Sequence, residues 1–319
     1  MNFKALFSRS ERLNSLRLRI SHGAVTLARR AARLITTYER QAWRLFLVFQ
    51  VGIVLTGGAV RLTKSGLGCP EWPDCVNGSL GPQPSQIEGV HSWIEFGNRL
   101  LTILLVLNVA YVVIAARINK RHGKLAWFQL RGLIAQIVLG GITVWTHLNP
   151  FTVAGHYLLS SILIAGIVRA LHQMDEEYVA VNVKREVFTL GRVVVGITAL
   201  VLIVGTFVTG SGPHAGDDKA PRYPLDAARL ALFHADIVIA LVVLTISLWL
   251  MLRVTKRPTP KAYLYFVGAI VLQGVIGYTQ YFTGLPEVLV AIHLLGSALV
   301  WTSANFLYYS FEKESNETI

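Results

Sequence analysis

Residues 230–251 read LALFHADIVIALVVLTISLWLM, a run of 22 positions whose only ionisable residues are His234 and Asp236. At 1.5 Å per residue, about 20 mainly apolar residues carry a helix across the hydrocarbon core of a bilayer. A strand of this length would leave its backbone groups unpaired in lipid, so the run reads as a transmembrane helix. Seven further stretches qualify on the same grounds, at 43–62, 93–116, 127–145, 153–171, 193–210, 263–282 and 288–308. The expected fold is an all-α integral membrane protein with eight transmembrane helices.

The whole chain agrees with that reading. Of its 319 residues 53% are hydrophobic and 15% charged, against roughly 25% charged in an average soluble domain. Disorder, coiled coil and an ordinary cytosolic enzyme are excluded. The formal charge of +12 would suggest a nucleic-acid partner in a soluble protein. Here its distribution says otherwise. The segments 1–44, 117–131 and 253–261 hold nineteen Lys and Arg against two acids, and with eight spans all three fall on one side. The intervening segment 169–192 is balanced, and the loops on the opposite face carry no basic excess. The positive-inside rule places both termini in the cytoplasm, so the charge reports orientation and no nucleic acid is expected. Residues 1–41 read as a basic tail beside the lipid bilayer of the cell membrane. A presequence for the mitochondrial inner membrane is the alternative, since the tail is rich in Arg and poor in acids.

The chain also repeats. Gln136, Gly140 and His156 recur 137 residues later as Gln273, Gly277 and His293, and Asn98 corresponds to His234. Span one ends in Thr56-Gly57-Gly58 and span five in Thr209-Gly210-Ser211-Gly212. The expectation is two tandem, pseudo-symmetric four-helix bundles, at 42–172 and 193–308. A linker at 173–192 joins them and a tail follows at 309–319.

Ionisable residues inside a membrane are costly and mark functional positions. His156, His234 and His293 each fall early in a span, and facing imidazoles at equal depth are how a bundle holds heme iron axially. His234 and His293 form such a pair. In the first bundle His156 faces Asn98 instead, and an amide oxygen is a poor iron ligand. That leaves an open coordination position or a substitute ligand such as His91. His91, Glu95 and Asn98 share one helix face, which sets a carboxylate beside the asymmetric corner. Glu95 also has an ordinary reading as the ion-pair partner of Arg99. Arg61 and Arg99, near the outer boundary, suit heme propionates or simple snorkelling to the interface. Cys69 and Cys75 have five residues between them in the first outer loop, where either a structural disulfide or a redox-active pair can persist.

Residues 56–73, TGGAVRLTKSGLGCPEWP, resemble the first outer-loop signature of the heme A synthases, and the likeness continues through Ile94-Glu95 and the histidines of spans four, six and eight. The resemblance implies a membrane oxidoreductase that converts the C8 methyl of heme O to the formyl group of heme A. It implies a heme b cofactor on His234 and His293, and a substrate half using His156 and a Glu-x-x-His pattern. That pattern falls on Glu95 and Asn98, so the chain departs from it at Asn98. Implied partners are a heme O synthase and the assembly of cytochrome oxidase, with a homo-oligomer also compatible. A competing class is a diheme cytochrome b acting with quinone, which would want complete histidine pairs in both bundles. A transporter would show helices broken at mid-membrane, and no span is interrupted there.

Overall fold

The computed structural model describes residues 25–175 and 180–314. The tail at 1–24, part of the linker (176–179) and the last five residues therefore lie outside the described residues. After a helical stretch at 25–37 come eight helices long and apolar enough to cross a membrane. They are α1 (Glu39–Leu62), α2 (Val90–Asn119), α3 (Gly123–Trp145), α4 (Pro150–Gln173), α5 (Arg185–Ser211), α6 (Ala227–Val254), α7 (Lys261–Phe282) and α8 (Glu287–Tyr309). Most run past the apolar stretches that announce them. The largest excess is at α5, which starts eight residues before its apolar run, with Glu186 in the first turn. Hydropathy marks the stretch that suits lipid, whereas helical hydrogen bonding continues into polar turns wherever the ends can be capped.

Among the described residues three of the hydrophobic cores lie between the helices, and a fourth, smaller one around Leu148, Ala215 and Ala220 lies in the loops. Trp43, Phe46, Val109, Leu133 and Ile167 fill the space among α1–α4. Val187, Val194, Leu248, Phe266 and Leu307 do the same among α5–α8. Val54, Ile164, Leu202, Ala298 and Trp301 form the third, where α1, α4, α5 and α8 meet. Polar contacts cross this central interface: the Trp301 indole donates to the Ser161 carbonyl at 2.6 Å, and the Tyr157 and Ser297 hydroxyls lie 2.8 Å apart. Close approach is also built in, since a Cβ at Gly58 would stand 2.2 Å from Leu294.

One connection was not foreseen. Val181–Val183 (β1) pairs in parallel with Phe311–Lys313 (β2), Asn182 opposite Glu312. The sequence reads these segments as a linker and a tail. The pairing ties the start of α5 to the end of α8 and covers Val183 and Phe311.

The two groups of helices differ in one respect that matters for the site. In the first group α2 packs along α3. In the second, α6 and α7 make only marginal contact, joined at one end where Tyr263 donates to the Thr245 carbonyl at 3.0 Å. Toward the other end, 271–282 of α7, 287–297 of α8 and 227–236 of α6 contribute no fully buried residue. That end, which also carries the Cys69–Cys75 loop, is called the disulfide end below.

Candidate functional site

The three histidines are set by helix starts. Asn149 caps α4, its Oδ1 accepting from the Phe151 N–H at 2.9 Å with Pro150 in the first turn. Asp226 caps α6 by accepting from the N–H groups of Ala228 and Arg229, and Pro286 precedes α8. His156, His234 and His293 fall six or seven residues after the first residue of their helices. Each therefore lies about 10 Å inside the disulfide end.

Each ring lies against a glycine on a neighbouring helix. A Cβ at Gly205 would stand 3.3 Å from His234 Cε1, and one at Gly277 would stand 3.1 Å from His293 Cε1. In the first group Gly140 meets His156 Nε2 at 3.3 Å, so that ring presents a different edge. Main-chain placement is matched as well. Gln136 Nε2 donates to the His156 carbonyl at 3.0 Å, and Gln273 Nε2 donates to the His293 carbonyl at 2.7 Å. The Nδ1 atoms of His234 and His293 are buried without a hydrogen-bond partner.

These features fit a planar iron macrocycle. Among the described residues no group of three or more His, Cys, Asp or Glu converges as a bare metal ion would require. A macrocycle supplies its own equatorial donors and asks the protein only for axial ligands. Two imidazoles from α6 and α8, backed by glycines, with α6 and α7 held apart, meet that requirement.

The corner around Asn98 is arranged differently. Asn98 Oδ1 accepts from the Thr56 hydroxyl at 2.7 Å, and His91 Nδ1 lies 2.9 Å from the Ser65 hydroxyl. Glu95 is buried and has both oxygens in use. Oε2 accepts from the Cys69 N–H at 2.7 Å, and Oε1 accepts from Arg99 Nη2 at 2.7 Å and Nε at 3.2 Å. The ion pair read from the i,i+4 spacing is therefore present. Arg99 does more than was expected of it. Its remaining donors go to the carbonyls of Cys69, Glu71, Pro73 and Asp74. That leaves it no free N–H for a propionate, and its place is at the centre of the loop. Trp72 covers the guanidinium, 5.3 Å from ring centroid to Cζ. Cys69 and Cys75 are joined in a disulfide and fully buried. Arg61 leaves its own group of helices and donates to the Thr209 carbonyl on α5.

Beside these residues the loop between α1 and α2 meets the loop after α5. The Gly66 N–H donates to the Gly216 carbonyl at 2.9 Å, and Lys64 pairs with Asp218 at 2.6 Å. The Asp218 carboxylate raises the exposed Lys64 ammonium above its ordinary pKa. Burial raises the phenol of Tyr223, which lies across Gly210. Gly216 has φ +98°, a conformation that favours glycine, and a side chain there would press on Leu148. Sequence reading missed this seam because none of its contacts has a local signature.

Residues 41–221 match the COX15-CtaA family, described as cytochrome oxidase assembly protein. The chain belongs to that family. The match takes in α1–α4, the disulfide loop and the seam, including His91, Glu95, Asn98, Arg99 and His156. Family resemblance extends to curated bacterial proteins. The heme A synthase of Geobacillus thermodenitrificans is 28% identical over 121 residues, 37% of each chain. That of Lysinibacillus sphaericus is 29% identical over 120 residues, 36% of this chain and 38% of its own. The chain thus spans little more than a third of the curated relatives it matches. Its eight apolar helices and bacterial relatives make this family member a multi-pass membrane protein.

Proposed function

We propose that the chain is a heme A synthase, a membrane oxidoreductase that oxidises the C8 methyl of heme O to a formyl group. The observation that carries the reading is the inequality of its two histidine corners. One has two glycine-backed imidazoles, each with a buried Nδ1. The other has a buried carboxylate, Glu95, within one turn of Asn98, an amide at the position that corresponds in the repeat to His234. A closed bis-imidazole site suits electron transfer, and an incomplete one suits reaction at the ligand. A diheme cytochrome b would have two corners of the first kind.

In this reading His234 and His293 hold a heme b, which supplies a one-electron relay when bound. The chain's own residues do the rest. His156 holds the substrate macrocycle from one side, and Asn98, tied to Thr56, leaves the other side uncoordinated or open to His91. Glu95 keeps a negative charge next to the reacting methyl, where it accepts a proton or stabilises positive charge developing on that carbon. Its bonds to Arg99 and Cys69 fix its direction. The disulfide loop excludes water from that end of the corner. The basic excess of the segments at the opposite end supports a reading in which both termini are cytoplasmic and the disulfide end faces outside. The helices then form two tandem bundles, one for substrate and one for cofactor. A heme O synthase would supply the substrate, and cytochrome oxidase assembly would take the product.

The test is complementation. In a bacterium that lacks its own heme A synthase, the chain should restore a terminal oxidase containing heme A. Expression in the membrane without any such oxidase would overturn the proposal.

A further inference from the structure

Two guanidiniums at the seam stand without a carboxylate. Arg61, from α1, donates to the Thr209 carbonyl, and Arg222, from the loop after α5, donates through Nη1 to the Gly212 carbonyl at 2.6 Å. Those two acceptors are three residues apart at the end of α5, and the guanidiniums are near enough to repel each other. Both side chains are half-buried. At this end of the helices Arg99 and Arg229 have carboxylate partners. Among the described residues Arg61 and Arg222 have none. Between their two acceptors lies Ser211, whose Oγ is buried with no hydrogen-bond partner. Holding like charges together away from bulk water is unfavourable unless an anion joins them.

The position on α5 identifies the anion's source. Gly205, against which His234 packs, is about one turn from Thr209 and less than two from Ser211. We infer that Arg61, Arg222 and Ser211 form a carboxylate-binding site for the propionate edge of the macrocycle held by His234 and His293. This rests on the reading of those histidines given above and adds residues to it. It also has a consequence for the assembly. Arg61 belongs to α1 and Arg222 to the loop after α5, so one carboxylate between them pairs with both sides of the seam and offsets their mutual repulsion. Loading the second group then tightens its hold on the loop that bears Gly66 and, beyond it, Cys69.

The full chain in nanodiscs, prepared without heme, would be titrated with protoheme and with its dimethyl ester, reading the low-spin absorption band. Charge-assisted hydrogen bonds to a carboxylate predict that wild type prefers the free acid by on the order of tenfold. Arg222→Gln should shrink that preference, and Arg61→Gln with Arg222→Gln should abolish it, while the ester binds all three proteins alike and so reports folding. Lys64→Gln, which removes a neighbouring exposed cation, should leave the preference intact. Arg222 lies in a loop, so its single variant keeps the test readable if the double variant fails to fold. A wild type without preference, or a double variant with the wild-type preference, would overturn the inference. A lipid phosphate is the other source of such an anion. If adding phosphatidylglycerol to phosphatidylcholine nanodiscs removed the wild-type preference, the site would belong to lipid and the inference would fail. Wild type that binds neither macrocycle would instead overturn the reading of His234 and His293 on which it rests.

Discussion

The indole of Trp72 occupies a notch on α3 that exists because residue 141 is glycine: a Cβ there would stand 2.4 Å from the ring. The same indole covers Arg99 on α2. One side chain of the disulfide loop therefore bridges the two helices that flank the Asn98 corner. Gly141→Ala should destabilise the protein by about 1–3 kcal/mol, the usual cost of overpacking. Trp72→Ala removes the clash, so the double variant should lose less than the sum of the two singles. Thermal unfolding in detergent checks both, and strict additivity would mean the ring does not sit in the notch.

Removing the bridge between Cys69 and Cys75 tests the loop in another way. The cross-link closes a short loop, with a sequence separation of 6, and chain-entropy reasoning assigns such a loop about 2 kcal/mol. Cys69→Ser with Cys75→Ser should lower the unfolding midpoint accordingly. It should also loosen the Cys69 N–H contact to Glu95, so conversion should fall more steeply than stability does. Unchanged conversion at a lowered midpoint would separate the loop from the site.

His234→Ala and His293→Ala should each lose stably bound heme b, whereas His156→Ala should keep it and chiefly lose conversion of heme O. Absorption spectra of the purified variants distinguish the cases. An unchanged low-spin spectrum in His234→Ala would contradict the assignment of the second group.

Asn98→His would place an imidazole where the hydroxyl of Thr56 now donates to an amide. The expected result is a second low-spin bis-imidazole signal when heme O is supplied, with slower turnover because the open position is closed. Absence of any spectral change would mean that residue 98 does not face the substrate iron.

Much of this could be read before the structure, and the limits have physical causes. The eight spans were legible because crossing lipid is a local property of about 20 residues. His156, His234 and His293 stood out because charge-bearing side chains are costly in a membrane and because they fall at matching offsets. The Glu95–Arg99 pair followed from helix spacing. What stayed hidden depends on contacts between distant segments. Pairing of Val181–Val183 with Phe311–Lys313 joins short pieces that carry no strand signature. The convergence of Arg61 on Thr209, and of Arg222 on Gly212 beside it, needs the two groups of helices already docked. Arg99 looked like a ligand for propionates because nothing local shows four carbonyls folding back onto it.

Glu95 carries the chemical part of the account. Glu95→Gln preserves the size of the side chain and an oxygen for the Cys69 N–H but removes the charge. Heme b should remain bound with an unaltered spectrum, and heme A output should drop by an order of magnitude or more, the range typical of losing electrostatic or acid–base assistance. Full output from that variant would take Glu95 out of the mechanism.

The central claim is tested most directly by expressing the chain together with a heme O synthase and determining the masses of the extracted hemes. The account predicts a formyl-bearing heme that is absent when the heme O synthase is expressed alone. Recovery of hemes B and O only, from membranes that contain the chain, would contradict it.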